Sequence, residues 1–243
     1  MSLHALTFRI TFFTAQFRKH YIKLFRDTYL MPLPSSIAGM IGAIIGIEKY
    51  ELKKFAEKVD LLCGAELLSF NGYIYEYTRI FKFSREKISK IVEKLRTPEQ
   101  AREMMPIYKS ISLYNPEYKI AVALNNQKIY SEITDRLRKK DFVYEIYGGN
   151  DYNFVKDIKG IREAKVIKTN EGRGYILRKD FQDMRPVKKA IISIDRVIAE
   201  VRDLVLFVYS GDILAKEKLS AVDDGESIIF VHPASPYIVR EIL

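Results

Sequence analysis

Lys19, His20 and Tyr21 form a compact group of side chains that could transfer protons in a reaction. Lys, His and Tyr can each act as a general acid or base when a substrate lies within hydrogen-bonding distance. A single histidine is nevertheless more often structural or exposed than catalytic. The sequence has no P-loop, Gly-x-Ser-x-Gly, His-Glu-x-x-His or Rossmann fingerprint, so it does not support an ATPase, a hydrolase or a dehydrogenase.

Metal chemistry has little support in the composition. Cys63 is the only cysteine, which excludes an internal disulfide and a cysteine-based zinc site. The three histidines, His4, His20 and His232, are far apart in the sequence. We therefore expect neither a metal centre nor a cofactor.

Positive charge is concentrated in two parts of the 243-residue chain, whose formal net charge is +9. Residues 1–47 carry five Lys and Arg against one Asp, and residues 79–110 carry nine against four Glu. These cations are interleaved with Tyr and Phe, which suits a polyanion with exposed bases, because cations neutralise phosphates and aromatic rings stack on unpaired bases. The alternative is a set of solvated faces on a basic protein of thermophile-like composition, without Trp and rich in Lys, Glu and Ile.

The sequence predicts a soluble cytoplasmic protein. The most apolar run, 37–47, has eleven residues, which is too short to cross a bilayer. The opening residues have the pattern of a strand and lack the basic start of a signal peptide. We therefore expect no membrane association.

Hydrophobic periodicity predicts the elements that position these charges. Their order is strand, helix, strand, strand, helix, strand, and the last strand is expected at 142–147. This is the order of a ferredoxin-like (RRM-like) α+β unit, which we assign to residues 1–149. Residues 73–113 would form an enlarged hairpin-and-helix projection between its middle strands. Short strands beyond Gly149 predict a small β-rich second domain over residues 150–243.

A glycine-rich helix is predicted after Pro32 and Pro34, with Ser35 or Ser36 as its N-cap. Small residues, among them Gly39, share one face of this helix. Each interior glycine costs roughly 1 kcal/mol relative to Ala, so several in one helix need a reason. Close approach of another backbone is the usual reason, and that backbone could belong to the sheet beneath or to a bound chain.

Several segments together resemble the fifth CRISPR-associated protein family, called Cas-five here, of the RAMP superfamily. They are 14–21 (TAQFRKHY), Tyr29, 32–46 (PLPSSIAGMIGAIIG), 113–116 (LYNP) and 147–150 (YGGN). The family shows an Ala-x-Phe-Arg-like element, followed by a Pro-x-Pro-Ser-type stretch that runs into a Gly-rich helix. RAMP proteins bind RNA and are built on ferredoxin-like folds, which is the fold that the resemblance implies here.

The resemblance implies a non-catalytic crRNA-binding subunit of a type I CRISPR surveillance complex (Cascade), of an archaeal, thermophile-like subtype, in antiviral defence. Such a subunit holds the 5′ handle of the guide RNA, caps the filament of Cas-seven backbone subunits and contacts the large subunit. Residues 73–113 would be the family's thumb.

Two other functions stay open at this point. One branch of the family cleaves precursor RNA, so the main alternative is a metal-independent endoribonuclease that processes CRISPR repeat RNA. That chemistry often uses a Tyr, Lys and His group, but this sequence lacks an obvious Lys-His pair in the middle strands, and its Lys19-His20-Tyr21 group lies in the N-terminal segment. The other alternative is a generic single-strand-binding module outside CRISPR.

Five candidate RNA-binding residues lie near the start of the predicted helix. Arg18, Lys19 and Arg26 would contact handle phosphates, with solvent exposure as the alternative. Ser35 and Ser36 open a helix whose free N–H groups favour an anion, so a handle phosphate could bind there. Plain N-capping is the alternative for both serines.

Five more candidates are aromatic residues and thumb cations. Tyr29 and Tyr108 would stack on bases, or they are ordinary core or surface tyrosines. Arg79, Lys82 and Lys109 would contact RNA from the thumb, with a charged edge strand as the alternative.

The last two candidates involve glycine. Gly39 would allow close approach of RNA, although packing within the protein is favoured because close packing alone explains a small residue. Arg173, flanked by Gly172 and Gly174, would reach RNA from a mobile loop, or it belongs to an ordinary hairpin turn.

Overall fold

A computed structural model of the chain describes residues 3–22, 25–79, 107–150, 152–197 and 199–239, with the backbone alone described at 186–190. The α-helices in these ranges are α1 (Pro34–Ile45), α2 (Leu52–Lys58) and α3 (Gln127–Lys139). The strands are β1 (His4–Phe12), β2 (Thr14–Ala15), β3 (Phe17–Arg18), β4 (Thr28–Tyr29), β5 (Leu62–Ser69), β6 (Tyr73–Arg79), β7 (Ile107–Tyr114), β8 (Glu117–Leu124), β9 (Val155–Leu177), β10 (Phe181–Arg196), β11 (Leu204–Asp223), β12 (Ile228–Phe230) and β13 (His232–Pro233). The mixed α+β class is confirmed.

Four strands form an antiparallel sheet in the order β9-β1-β8-β5. Helices α1 and α2 connect β1 to β5, and α3 connects β8 to β9. Leu6, Phe8, Ile10 and Phe12 of β1 share one face of the strand and are all buried in the main core. Apolar residues of α1 and α3 belong to the same core, so these helices cover that face of the sheet.

The predicted strand at 142–147 is wrong. Within 142–147 only Tyr147 makes a bridge, to Phe154. The segment instead provides hydrogen-bond donors for the last turn of α1. The Val143 and Tyr144 backbone amides donate to the carbonyls of Ile44 and Ala43 at 3.3 and 2.9 Å. Carbonyls in the last turn of a helix have no partner within the helix, and this passing chain supplies one.

Strand β9 is the fourth strand of the sheet, and it begins after the boundary expected at residue 149. Its residues 155–164 pair with β1, and its residues 165–177 pair with β11. One continuous strand therefore belongs to both parts of the fold, and the 150–243 part completes the unit that was assigned to 1–149. The β-rich character predicted beyond Gly149 is present in β10, β11 and β12.

The strands beyond β9 also cover the second face of the four-stranded sheet. Val222, Ile229 and Val231 form a small apolar cluster with alanines of β1 and β8. The sheet is thus packed on both faces, by helices on one and by strands on the other. No helix in the ranges given above is long and apolar enough to span a bilayer.

Strands β6 and β7 pair from Tyr73↔Leu113 to Arg79↔Ile107, and we name this pair the arm. Strand β2 joins the arm through Thr14↔Tyr114, so the arm continues directly from the end of β1. The arm occupies the described part of the predicted 73–113 projection. The rest of that projection, 80–106, lies outside the described residues.

Candidate nucleic-acid interface

The base of the arm carries two clefts. The outer cleft is lined by Arg26, Glu76, Tyr77, Thr78, Tyr108, Ser110 and Tyr152, and its volume is about 550 Å³. The inner cleft is lined by Lys19, Asp27, Thr28, Leu30, Tyr73, Tyr75, Ile111, Ile191 and Ser193, and its volume is about 270 Å³. Glu76 pairs with Ser110 and Tyr75 pairs with Ile111, and successive residues of a strand point to opposite faces. The two clefts therefore use different faces of the arm, and the Tyr77 ring lies on the face of the inner cleft, with those of Tyr73 and Tyr75.

The outer cleft combines one cation with tyrosine rings. The Arg26 amide donates to the Lys109 carbonyl and the Ile111 amide donates to the Arg26 carbonyl, both at 2.8 Å, which fixes Arg26 beside β7. Tyr152 is 52% exposed, so its ring is open to a ligand in the outer cleft. This arrangement can pair with a phosphate and stack on a base at the same time.

Gln16 connects the chain segments around the outer cleft through hydrogen bonds. Its side chain is buried, and its Nε2 donates to Ser110 Oγ at 2.6 Å and to the Ile111 carbonyl at 2.9 Å. Its Oε1 accepts a hydrogen bond from Asn150 Nδ2, and its backbone N–H donates to the Gly148 carbonyl at 2.7 Å. Segments 14–21 and 147–150 therefore meet each other and the arm at this residue.

The turn at 147–150 depends on glycine at one position. Gly149 has φ 102°, and a Cβ there would overlap the Gln16 carbonyl. Only glycine adopts this conformation readily and also leaves room for the other backbone. Both segments were identified from the sequence as parts of the Cas-five resemblance, but Gln16, Tyr77 and Tyr152 were not identified as candidate residues. The occurrence of TAQFR and YGGN in one chain was the only indication in the sequence that these segments belong together.

Lys19 is committed to two carboxylates and does not suit the expected phosphate contact. Its Nζ lies 2.9 Å from Asp27 Oδ2 and 3.0 Å from Asp195 Oδ1. Burial alone would lower the pKa of Lys19, but hydrogen bonds to these two carboxylates outweigh burial and raise it. Asp195 is itself buried and also accepts hydrogen bonds from Tyr21 and Ser193, at 2.8 and 2.7 Å.

Within the group Lys19-His20-Tyr21, two side chains share one carboxylate. Lys19 and Tyr21 both bind Asp195. Burial, followed by the hydrogen bond to Asp195, raises the pKa of Tyr21, so its phenol stays protonated at neutral pH. Burial and then the neighbouring Arg18 charge lower the pKa of His20. In the described ranges, no three His, Cys, Asp or Glu side chains lie together so as to hold a metal ion.

Tyr29 is a core residue, which corrects the expectation that it stacks on a base. It is 1% exposed, and its ring stacks on Phe207 at a centroid distance of 5.8 Å. Its hydroxyl donates to the Arg196 carbonyl at 2.9 Å. Both the ring face and the hydroxyl are therefore used within the protein.

The start of α1 differs from the prediction. Leu33 is the N-cap and Pro34 occupies the first turn, whereas Ser35 and Ser36 lie inside the helix and are half-buried. Proline fits the first turn because its missing N–H would have no partner there. The predicted serine cap is therefore wrong.

The small-residue face of α1 is close-packed at only some positions. A Cβ on Gly42 would lie 3.1 Å from Leu52 Cδ1, so Gly42 is needed for packing against α2. A Cβ on Gly39 would meet no atom within 4 Å. Gly46 ends the helix with φ 78°, as a left-handed C-cap.

Arg173 lies within β9 and is paired, so neither the mobile loop nor the hairpin turn is present. Its Nε lies 2.8 Å from Asp212 Oδ1 and its Nη1 lies 3.2 Å from Glu66 Oε1. The flanking glycines serve packing. A Cβ on Gly172 would lie 3.1 Å from the Phe230 ring, and one on Gly174 would overlap a neighbouring carbonyl.

The remaining candidates lie on or near the arm. Arg18 is exposed on β3, and Arg79 is exposed at the end of β6. Lys109 Nζ lies 4.7 Å from the centre of the Tyr75 ring, and Tyr108 lines the outer cleft. Lys82 lies outside the described residues.

No protein-family model matches the chain, and no curated protein matches it. Solved structures with a similar fold include a chain of a CRISPR RNA-guided surveillance complex, with 12% identity, a TM-score of 0.48, and coverage of 87% of this chain and 91% of that one. A crystal structure of a Cas protein has 13% identity, a TM-score of 0.40, and coverage of 87% and 95%. A chain of a type III-B Cmr-beta complex bound to cognate target RNA and AMPPnP has 13% identity, a TM-score of 0.39, and coverage of 87% and 86%.

Proposed function

We propose that this protein is a cytoplasmic, non-catalytic RNA-binding subunit that holds the 5′ handle of a guide RNA in a type I CRISPR complex. The outer cleft carries the proposal, because it joins Arg26 to the rings of Tyr108 and Tyr152. A processed RNA end is single-stranded and can splay its bases, so cations and aromatic rings suffice to hold it.

The Cas-five resemblance supports the same function. Two of the segments that carry it, 14–21 and 147–150, meet at Gln16, whose side chain donates a hydrogen bond to Ser110 of the outer cleft. The strand order β9-β1-β8-β5, with helices between β1 and β5 and between β8 and β9, is the arrangement expected of a ferredoxin-like unit. The Cas-seven backbone subunit and the large subunit are the protein partners that this proposal carries with it.

We propose further that the protein does not cleave RNA. An acid–base mechanism needs groups that change protonation near neutral pH. Lys19 and Tyr21 are held by Asp195 with raised pKa values, which supports a holding role over the endoribonuclease alternative.

Two measurements on the purified full chain test these proposals. Fluorescence anisotropy compares handle RNA with scrambled RNA of equal length, and we expect tighter binding of the handle. Equal affinity for both would favour a generic single-strand-binding module, and no binding would overturn the proposal. Incubation with repeat RNA in EDTA should leave the RNA intact, whereas site-specific cleavage that is lost in His20→Ala would establish the endoribonuclease.

A further inference from the structure

The inner cleft has a rigid aromatic wall. Tyr73 contacts Phe70 edge-to-face at 5.6 Å between ring centres, and Phe70 contacts Tyr209 in the same way at 5.8 Å. Tyr75 stands beside Tyr73 on the same face of β6 and is 55% exposed. Lys109 Nζ lies over the Tyr75 ring, which places a positive charge next to the most exposed part of this wall.

The polar part of the inner cleft offers hydrogen-bond acceptors. Asp27 Oδ1 accepts from the Thr28 amide at 2.8 Å, and Asp27 Oδ2 lies 2.9 Å from Lys19 Nζ. An ionised carboxylate has about four lone-pair positions, so each oxygen keeps one for a ligand. Ser193 donates its hydroxyl hydrogen to Asp195, which leaves its lone pairs as acceptors.

We propose that the inner cleft binds one guanine base, turned out of the bound RNA strand. This inference rests on the proposed function, because the base enters as part of a bound RNA. Guanine presents two adjacent N–H donors, N1–H and N2–H, that can bind both oxygens of Asp27 while the ring stacks on Tyr75. Adenine and cytosine offer one amino group on that edge, and uracil places a single N–H between two carbonyls.

The size of the inner cleft agrees with a single base. Its volume of about 270 Å³ lies just below the range of about 300–1,000 Å³ that is typical for complete small-molecule ligands. The sugar and phosphates would stay outside it, and Lys109 is placed to meet them. The outer cleft on the opposite face of the arm would hold neighbouring nucleotides, so that the RNA passes the arm on both faces.

The experiment uses fluorescently labelled eight-nucleotide oligouridines that carry one central G, A, C or U. Fluorescence anisotropy of the full chain should show that the G-containing oligomer binds about tenfold more tightly than the others, which is the discrimination of one bidentate pair. Inosine at the same position lacks the 2-amino group, and it should lose most of this preference in the unmodified protein.

Two matched pairs of variants locate the effect. Asp27→Asn should abolish the guanine preference, because an amide offers only one acceptor oxygen. Asp183→Asn is the control and should keep the preference, since Asp183 Oδ1 also accepts from the following amide, at 2.8 Å, but it is exposed and lies outside the cleft. Tyr75→Leu should lower the affinity more than Tyr75→Phe, because phenylalanine keeps an aromatic face for stacking.

The outcomes separate this inference from the proposed function. Equal binding of all four oligomers, or equal binding of guanine and inosine, would overturn the guanine site while RNA binding itself stands. Absence of binding to any RNA would overturn both. If thermal melting showed that Asp27→Asn does not fold, the inosine comparison on the unmodified protein would still decide.

Discussion

Lys119 Nζ lies 2.5 Å from Asp224 Oδ2, and both side chains are buried. Lys119 is on β8, and Asp224 follows the end of β11. The Thr7 hydroxyl donates to Asp224 Oδ2 at 2.7 Å, and the amides of Glu226 and Ser227 donate to Oδ1 at 3.0 Å. The buried ion pair therefore fastens the turn after β11 to the face of the sheet opposite the helices.

We expect Lys119→Met to lower the free energy of unfolding by about 3–5 kcal/mol, because it leaves the Asp224 carboxylate buried without a counter-charge. The double variant Lys119→Met/Asp224→Asn should recover part of this loss. Chemical denaturation measures the free energy of unfolding of both variants. Lys140→Met is the control, since Lys140 pairs with Asp157 at the surface and exposed pairs contribute little. Equal effects of Lys119→Met and Lys140→Met would contradict this role of the buried pair.

Stability should also fall in acid through Asp224. Burial alone would raise the pKa of this carboxyl, but hydrogen bonds from Lys119, Thr7 and two backbone amides outweigh burial and lower it. A carboxyl whose pKa is lower in the folded state stabilises the fold at every pH above its unfolded value of about 3.9, and this stabilisation is lost as the pH falls further. Denaturation between pH 6 and pH 2 should show a smaller acid loss in Asp224→Asn than in the unmodified protein. An identical pH profile would show that Asp224 is not linked to acid unfolding.

Arg26→Gln should weaken binding of handle RNA and make it less dependent on salt. For a single-stranded ligand, removing one phosphate–cation pair reduces the slope of log K against log salt by about 0.7. Anisotropy titrations at several salt concentrations measure this slope. Arg136→Gln is the matched control, because Arg136 pairs with Glu132 on α3, away from both clefts. An unchanged slope in Arg26→Gln would remove Arg26 from the RNA surface.

Gly39→Ala should raise the free energy of unfolding by about 0.5–1 kcal/mol, because alanine is the better helix former and its Cβ would lie in open space. RNA affinity should not change. A fall in RNA affinity in this variant would mean that RNA packs directly on α1, which is one of the two explanations considered for Gly39. Gly149→Ala provides the contrast, since a Cβ there overlaps the Gln16 carbonyl and the variant should be destabilised.

The parts of the fold that depend on local pattern were predictable. The order strand, helix, strand, strand, helix was predicted correctly, because hydrophobic periodicity is a property of a few neighbouring residues. The fourth strand was misplaced because 142–147 has the composition of a strand, while its amides are used by the end of α1. Nothing within the segment itself indicates that competition.

Two of the candidate RNA-binding residues named from the sequence, Arg26 and Tyr108, line the same cleft. The sequence did not indicate that they lie side by side, and their contact with RNA stays a prediction. Lys19 and Arg173 were misread because the carboxylates that hold them, on Asp195 and Asp212, are distant in sequence. The density of charge along the sequence does not show which cations form ion pairs within the folded protein.

Strand β9 connects the two sheets as one uninterrupted strand. Because the same backbone is hydrogen-bonded to β1 along one stretch and to β11 along the next, no flexible joint separates the two sheets. A force applied to the C-terminal strands would be transmitted through β9 to β1. It would act along the strands, so the hydrogen bonds between β9 and β1 would have to break together. Tension on the C-terminal strands would thus reach the two clefts of the arm without first being absorbed by a hinge.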